Sequence, residues 1–215
     1  EAQTDLGLKH YLAAVEPPTE LSLYDWNITD GGLVHLKGLA GLQTLILPNT
    51  QITDAGLAQL SGMNLTALAI PREAQTDLGL KHYLAAVEPP ATLRLNDWNI
   101  TDAGLVHLTG LNLKELSIPK QARTDLGLKH YLAAVEPSAT LRLNGWRITE
   151  AGLVQLKGLT NLQKLYLTDT QITDAGLVQL KGLTSLQTLA LRGTAITDAG
   201  VAELKQSLPN CKISN

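Results

Sequence analysis

Leucine and isoleucine recur along this chain in a fixed frame. Aligning the segments that begin at Pro18, Leu42, Leu65, Pro90, Leu113, Ser138, Leu162 and Leu186 brings one pattern into register, at spacings of 23 to 25 residues. Each segment runs through an LxxLxL-type frame, then two or three polar residues, then a T-D-x-G-L turn. A truncated ninth copy begins at Asn210 and carries Ile213 in its fourth position. Self-similarity at such a period marks a solenoid, in which a unit buries its apolar stripe only by stacking on its neighbours.

The clearest copy, Leu162 to Ser185, has two halves of different period. Leu165 and Leu167 are two apart, so in a strand both side chains point to one face. Leu177, Leu180 and Leu183 recur every three residues, as one face of a short helix would, and Thr173 and Asp174 ahead of them are N-cap candidates. The unit is therefore strand, turn, helix. Strands are predicted near 20–23, 44–47, 67–70, 92–95, 115–118, 140–143, 164–167 and 188–191, with residues 211–215 ending the array. Helices are about 10 Å wide and strands about 4.8 Å apart, so the stack must curve with its strands inside. The predicted fold is α/β: a single right-handed solenoid domain over residues 1–215, a horseshoe with a parallel sheet on the concave face and helices on the convex face.

The pattern LxxLxLxxTxITDAGLxxLxxL, as in Leu42 to Met63 and Leu162 to Leu183, resembles leucine-rich-repeat proteins. It is most similar to bacterial arrays of 24-residue repeats related to the cysteine-containing type of F-box substrate receptors. The ninth position, usually Cys or Asn in that type, holds Thr50, Thr170 and Thr194 here, or Trp. The resemblance covers essentially the whole chain and implies a protein-binding scaffold, not a particular site.

Three long blocks, Glu1 to Leu39, Glu73 to Leu111 and Gln121 to Leu159, are nearly the same. Each joins an ending TDLGLKHYLAAVEP to a repeat that carries Trp26, Trp98 or Trp146 in the ninth position. In that ending Leu80, Tyr83, Leu84 and Val87 lie at 0, +3, +4 and +7, a longer amphipathic helix stopped by Pro89 and Pro90. Each Trp repeat follows one whose eleventh position holds Gln3, Gln75 or Arg123 in place of Ile, so the indoles are expected to fill the volume that the isoleucines leave.

Composition narrows the functional classes. A formal charge of -3 and a pI near 5.9 argue against a nucleic-acid footprint or a polybasic membrane surface. No stretch approaches the roughly 18 apolar residues of a membrane span, and Glu1 does not open a signal peptide, so no targeting segment is read. Cys211 has no cysteine partner and no neighbouring ligands for zinc. The histidines, His10, His35, His82, His107 and His130, share one repeat slot with Gln59, Gln155 and Gln179, which reads as a solvated convex face.

Neither a nucleophile with a base, nor paired carboxylates in a pocket, nor a phosphate loop stands out. The glycines belong to the repeat turn, and Asp54, Asp102, Asp174 and Asp198 are expected to cap helices. No catalysis, cofactor or metal is expected. The candidate site is the outward strand face: Ser22, Tyr24 and Ile46 early, then Arg94, Asn96, Arg142, Asn144, Lys164, Tyr166 and Arg192 in a more basic later part. Arg and Tyr are enriched at binding hot spots. The expected partner is a protein or peptide. Alternatives are a structural scaffold that self-associates end to end through an open edge at Glu1, or the recognition arm of a larger protein.

Overall fold

The computed structural model describes residues 3–215; residues 1 and 2, where the first long block begins, lie outside it. The chain divides into two compact units, residues 1–107 and 108–215, each considered by itself. The first holds α1 (Asp5–Ala14), β1 (Glu20–Ser22), β2 (Thr44–Ile46), β3 (Ala67–Ala69), α2 (Asp77–Ala86) and β4 (Thr92–Arg94). The second holds β5 (Glu115–Ser117), α3 (Asp125–Ala134), β6 (Thr140–Arg142), α4 (Glu150–Leu153), β7 (Lys164–Tyr166), β8 (Thr188–Ala190), α5 (Asp198–Ser207) and β9 (Lys212–Ser214).

All strand pairs within a unit are parallel and in the same register. In the first unit Leu21, Leu45 and Leu68 are partners across β1, β2 and β3. In the second, Leu141, Leu165, Leu189 and Ile213 are partners across β6 to β9. These central residues point inward while their neighbours point out, as the period of two requires. The truncated ninth copy thus forms a true strand.

The helical side is of two kinds, and leucine spacing separates most of them; Glu150–Leu156 has leucines three apart but opens with the α turn of α4 before continuing as 3-10. Where leucines recur every three residues, as in Asp30–Leu36, Gly56–Leu60 and Asp174–Leu180, the chain winds as a 3-10 helix, whose three residues per turn keep Leu177 and Leu180 on one face. Where the spacing is 0, +3, +4, +7, the identical sequence DLGLKHYLAA makes the ten-residue α-helices α1, α2 and α3. Helical segments stack in chain order: α1 on Asp30–Leu36, that on Gly56–Leu60, and that on α2; then α3 on α4, α4 on Asp174–Leu180, and that on α5.

The longer helices explain why the repeats before them have 23 residues. The last carbonyls of α2 have no partner within the helix; Ala85 and Ala86 accept instead from the N–H groups of Gly62 and Leu65. In the second unit Ala133 and Ala134 accept likewise from Gly110 and Leu113. The shortened loops turn through Asn64 and Asn112 with φ of 52° and 51°, a left-handed conformation that Asn tolerates.

The T-D-x-G motif builds the seam between repeats, and each residue has a separate task. Threonine is the N-cap: the Thr76 hydroxyl accepts from Gly79 N–H at 3.1 Å and that of Thr197 from Gly200 N–H at 3.1 Å, whereas Thr173 holds the N-cap position without such a bond. Contrary to the sequence expectation, Asp54 and Asp174 do not cap their own helices but reach the threonine of the next repeat, Thr76 and Thr197. Asp30 accepts from the backbone N–H and hydroxyl of Thr53 at 2.8 and 2.7 Å, and Asp77 from those of Thr101 at 2.7 Å each. In the second unit Asp125 serves Thr149 and Asp174 serves Thr197 in the same way, while Glu150 serves Thr173 through one oxygen. Glycine is required by close approach: a Cβ on Gly56 would collide with the Asp30 carboxylate, and one on Gly200 with that of Asp174. A second seam runs beside it, where Gln51 N–H donates to Ile28 O and Gln171 N–H to Ile148 O.

The tryptophans are placed by the same architecture. Trp146 is buried, and Trp26 and Trp98 are half-buried. Each indole meets the helix tyrosine of the preceding repeat edge-on, with ring centroids 6.1 Å apart for Tyr11–Trp26, 5.4 Å for Tyr83–Trp98 and 5.4 Å for Tyr131–Trp146. The slot of the missing isoleucine is filled in part by another device. Short 3-10 turns at Arg72–Ala74 and Lys120–Ala122 bring Ala74 and Ala122 fully inside, one residue early. Gln75 and Arg123 fold back onto the carbonyls of Ile70 and Ile118.

Candidate binding faces

In the first unit the outward strand positions form a weakly charged, fine-grained surface. Ser22 and Ile46 are register partners on β1 and β2, with Ile46 half-buried, and Ala67 and Ala69 continue the face on β3. Tyr24 is 52% exposed, yet fixed: its hydroxyl accepts from the Asn49 side-chain amide at 3.1 Å, and that amide also donates to Asp25 at 2.8 Å. Asp25 and Asn49 sit at φ of 62° and 60°, so the turn leaving each strand is left-handed and aims these short polar side chains at each other. Arg94 and Asn96 are exposed on and just after β4, outside the three-stranded sheet β1–β3.

The second unit presents a different face. Arg142 on β6 and Tyr166 on β7 are register partners, and the guanidinium lies over the ring, 5.2 Å from its centroid. Such stacking holds the long arginine side chain in one place while leaving it exposed. Asn144 accepts from Thr168 N–H at 3.1 Å, which ties the two turns together. Lys164 and Arg192 are exposed beside this pair. Lys212 on β9, outside the candidate face expected from sequence, is joined in register to Lys164 through Thr188. The signal was present: Ile213 in the fourth position puts Lys212 in an outward one.

Apart from the strand faces, the second unit has a cleft of about 500 Å³ between the ends of α3 and the starts of β5 and β6, lined by Tyr131, Val135, Glu136, Ser138, Leu159 and Asn161 among others. Among the described residues no cluster of three or more His, Cys, Asp or Glu could hold a metal, and no helix is long and apolar enough to cross a membrane. His82 is half-buried, and burial, with Lys81 and His107 nearby, pushes its pKa below the ordinary value despite Asp54. Burial raises the Tyr83 and Tyr131 phenols and the Cys211 thiol.

Parallel in-register strands, each followed by a helical segment and stacked by bonds one repeat apart, define an α/β solenoid. Two consecutive segments, residues 158–181 and 182–205, match the leucine-rich-repeat family model. Over those two segments the chain carries the leucine-rich repeat. No curated protein matches the chain. Among solved structures it is similar to an internalin C2 from Listeria monocytogenes, at 26% identity over 92% of this chain and 74% of that one, with a TM-score of 0.30. A chain of the octameric complex of Latrophilin 3, Unc5D and FLRT2 matches at 16% identity over 94% and 85%, with a TM-score of 0.47. A Leptospira interrogans LRR protein matches at 21% identity over 85% of this chain and 51% of that one, with a TM-score of 0.43.

Proposed function

We propose that this protein is a binding module that presents its outward strand faces to a protein or peptide partner and catalyses no reaction. The observation that carries this reading is the Arg142–Tyr166 pair, an exposed cation stacked on an aromatic ring on adjacent rigid strands. Both residue types anchor interfaces, and the sheet holds them in place before a partner arrives, which reduces the side-chain entropy lost on binding. Tyr24, fixed by Asn49, offers a similar anchor in the first unit.

The test is capture of partners from a lysate by the chain, repeated with Arg94, Arg142, Tyr166 and Arg192 changed to Ala. A protein retained by the native chain and lost by the variant supports the strand faces. Retention by both moves binding to the tryptophan rim or the helices. Light scattering across a dilution series addresses the self-associating scaffold: a mass that rises with concentration favours it, and a constant monomer mass rejects it.

A further inference from the structure

We infer that the strand face of the second unit recognises an acidic peptide segment, bound across the strands with its carboxylates about three residues apart. The inference rests on the binding role proposed above and names the chemistry of the partner. Arg142, Lys164, Arg192 and Lys212 are all exposed on β6 to β9 or immediately after them. Among the described residues none of the four forms an ion pair with a carboxylate. The sequence as a whole carries a formal charge of -3, so this cationic strip runs against the balance of the chain. Between the cations the floor is small: Thr188 and Ala190 are both half-buried on β8. Asp169 also stands at this end of the face, but its carboxylate is turned against Gly193.

Spacing supports a peptide that crosses the strands. Lys164 and Lys212 are separated by one intervening strand through the register Lys164, Thr188, Lys212. Two strand spacings are about 10 Å. A polyproline-II peptide returns to the same face every three residues, after about 9 Å. Carboxylates at that interval therefore meet both lysines at once, while Arg142 and Arg192 lie on one side of the path, toward the C-terminal ends of the strands. Charge complementarity of this kind sets partner choice and speeds association more than it raises affinity.

The probe is a fluorescent Glu-Pro-Pro repeat peptide, titrated with the whole chain and followed by anisotropy. Controls are the Gln-Pro-Pro and Lys-Pro-Pro counterparts and an oligothymidylate. The expected result is binding of the Glu peptide alone, weakened by added salt and about tenfold or more by the combined change Lys164→Gln, Arg192→Gln and Lys212→Gln. Circular dichroism confirms that the variant, altered only at exposed positions, stays folded. Equal binding of the Gln peptide, affinity unchanged in the variant, or tighter binding of the oligothymidylate overturns the inference. If the Glu peptide fails while the alanine variant still loses its captured protein, acidic recognition is rejected and the binding role stands. If both fail, the strand face is rejected as a site.

Discussion

The carboxylate of Asp125 accepts two hydrogen bonds from Thr149, one from its backbone N–H at 2.9 Å and one from its hydroxyl at 2.6 Å, across 24 residues of chain. Thr149 in turn caps α4 by accepting from Ala151 N–H at 3.2 Å. One carboxylate thus orders the start of the next helical segment. Asp125→Ala leaves a backbone donor without its partner and is expected to destabilise the protein by about 1 to 3 kcal/mol. Thr149→Val keeps the N–H bond and loses the hydroxyl, and should destabilise by about 1 kcal/mol. Urea denaturation of both single variants and the double variant checks this: effects that simply add mean the pair is not coupled.

Gly152 packs directly against the same carboxylate. Glycine to alanine within a helical segment ordinarily stabilises, by up to about 1 kcal/mol. Here a Cβ would collide with the Asp125 carboxylate and lie 2.8 Å from Ile148 Cγ2. Gly152→Ala is therefore expected to destabilise by about 1 to 3 kcal/mol, the usual range for overpacking. A raised melting temperature would show that the seam can open to admit a methyl group.

The buried indole of Trp146, edge-on to Tyr131, should matter more than the half-buried Trp26, whose ring lies further from Tyr11. Trp146→Ala is expected to destabilise by about 3 to 5 kcal/mol, as other buried Trp truncations do, and Trp26→Ala by distinctly less. Denaturation followed by far-ultraviolet circular dichroism ranks the two. Equal losses would contradict the packing described here.

Acid should loosen the seams in two stages. His82 has its pKa lowered by burial, so the unfolded chain binds its proton more readily than the folded one. Stability from this group is present above the ordinary histidine range, about pH 6.5, and declines as pH falls below it. His82→Gln, the residue that fills this slot in other repeats, should remove that stage. The carboxyl pKa of Asp174 is lowered by hydrogen bonds from the Thr197 hydroxyl and backbone N–H, and that of Glu150 by Thr173. Their contribution is present above the unfolded carboxylate range, about pH 4, and is lost as pH falls through the lower folded values. Melting temperatures between neutral pH and pH 3 test both stages; a flat profile over that span contradicts them.

The fold class was legible because period alone distinguishes a strand from a helical segment. The difference between 3-10 and α segments is legible only in part, in leucines three apart against 0, +3, +4, +7, because Glu150–Leu153 winds as α with the first spacing. The task of Asp174 was not legible: an aspartate beside a threonine at a helix start looks like a cap, and its actual partner, Thr197, is one repeat away. The fate of the missing isoleucine was only half visible. The indoles stand out in the repeat, but the 3-10 turns that bring Ala74 and Ala122 inside have no strong local signature. Of the candidate face, Arg142 and Tyr166 are brought together, whereas Arg94 and Asn96 stand apart from the sheet that carries Ser22 and Ile46.

The tyrosine–tryptophan pairs also make the protein its own optical gauge. The chain has no phenylalanine and only three tryptophans, each beside one tyrosine on a long helix. Light absorbed by those tyrosines passes to the adjacent indoles, and repeats without tryptophan stay silent in indole emission. A shift in emission therefore reports the undocking of α1, α2 or α3 from the repeat that follows. Trp146, being buried, is shielded from a dissolved quencher such as iodide until its own helix lets go, while Trp26 is reached first.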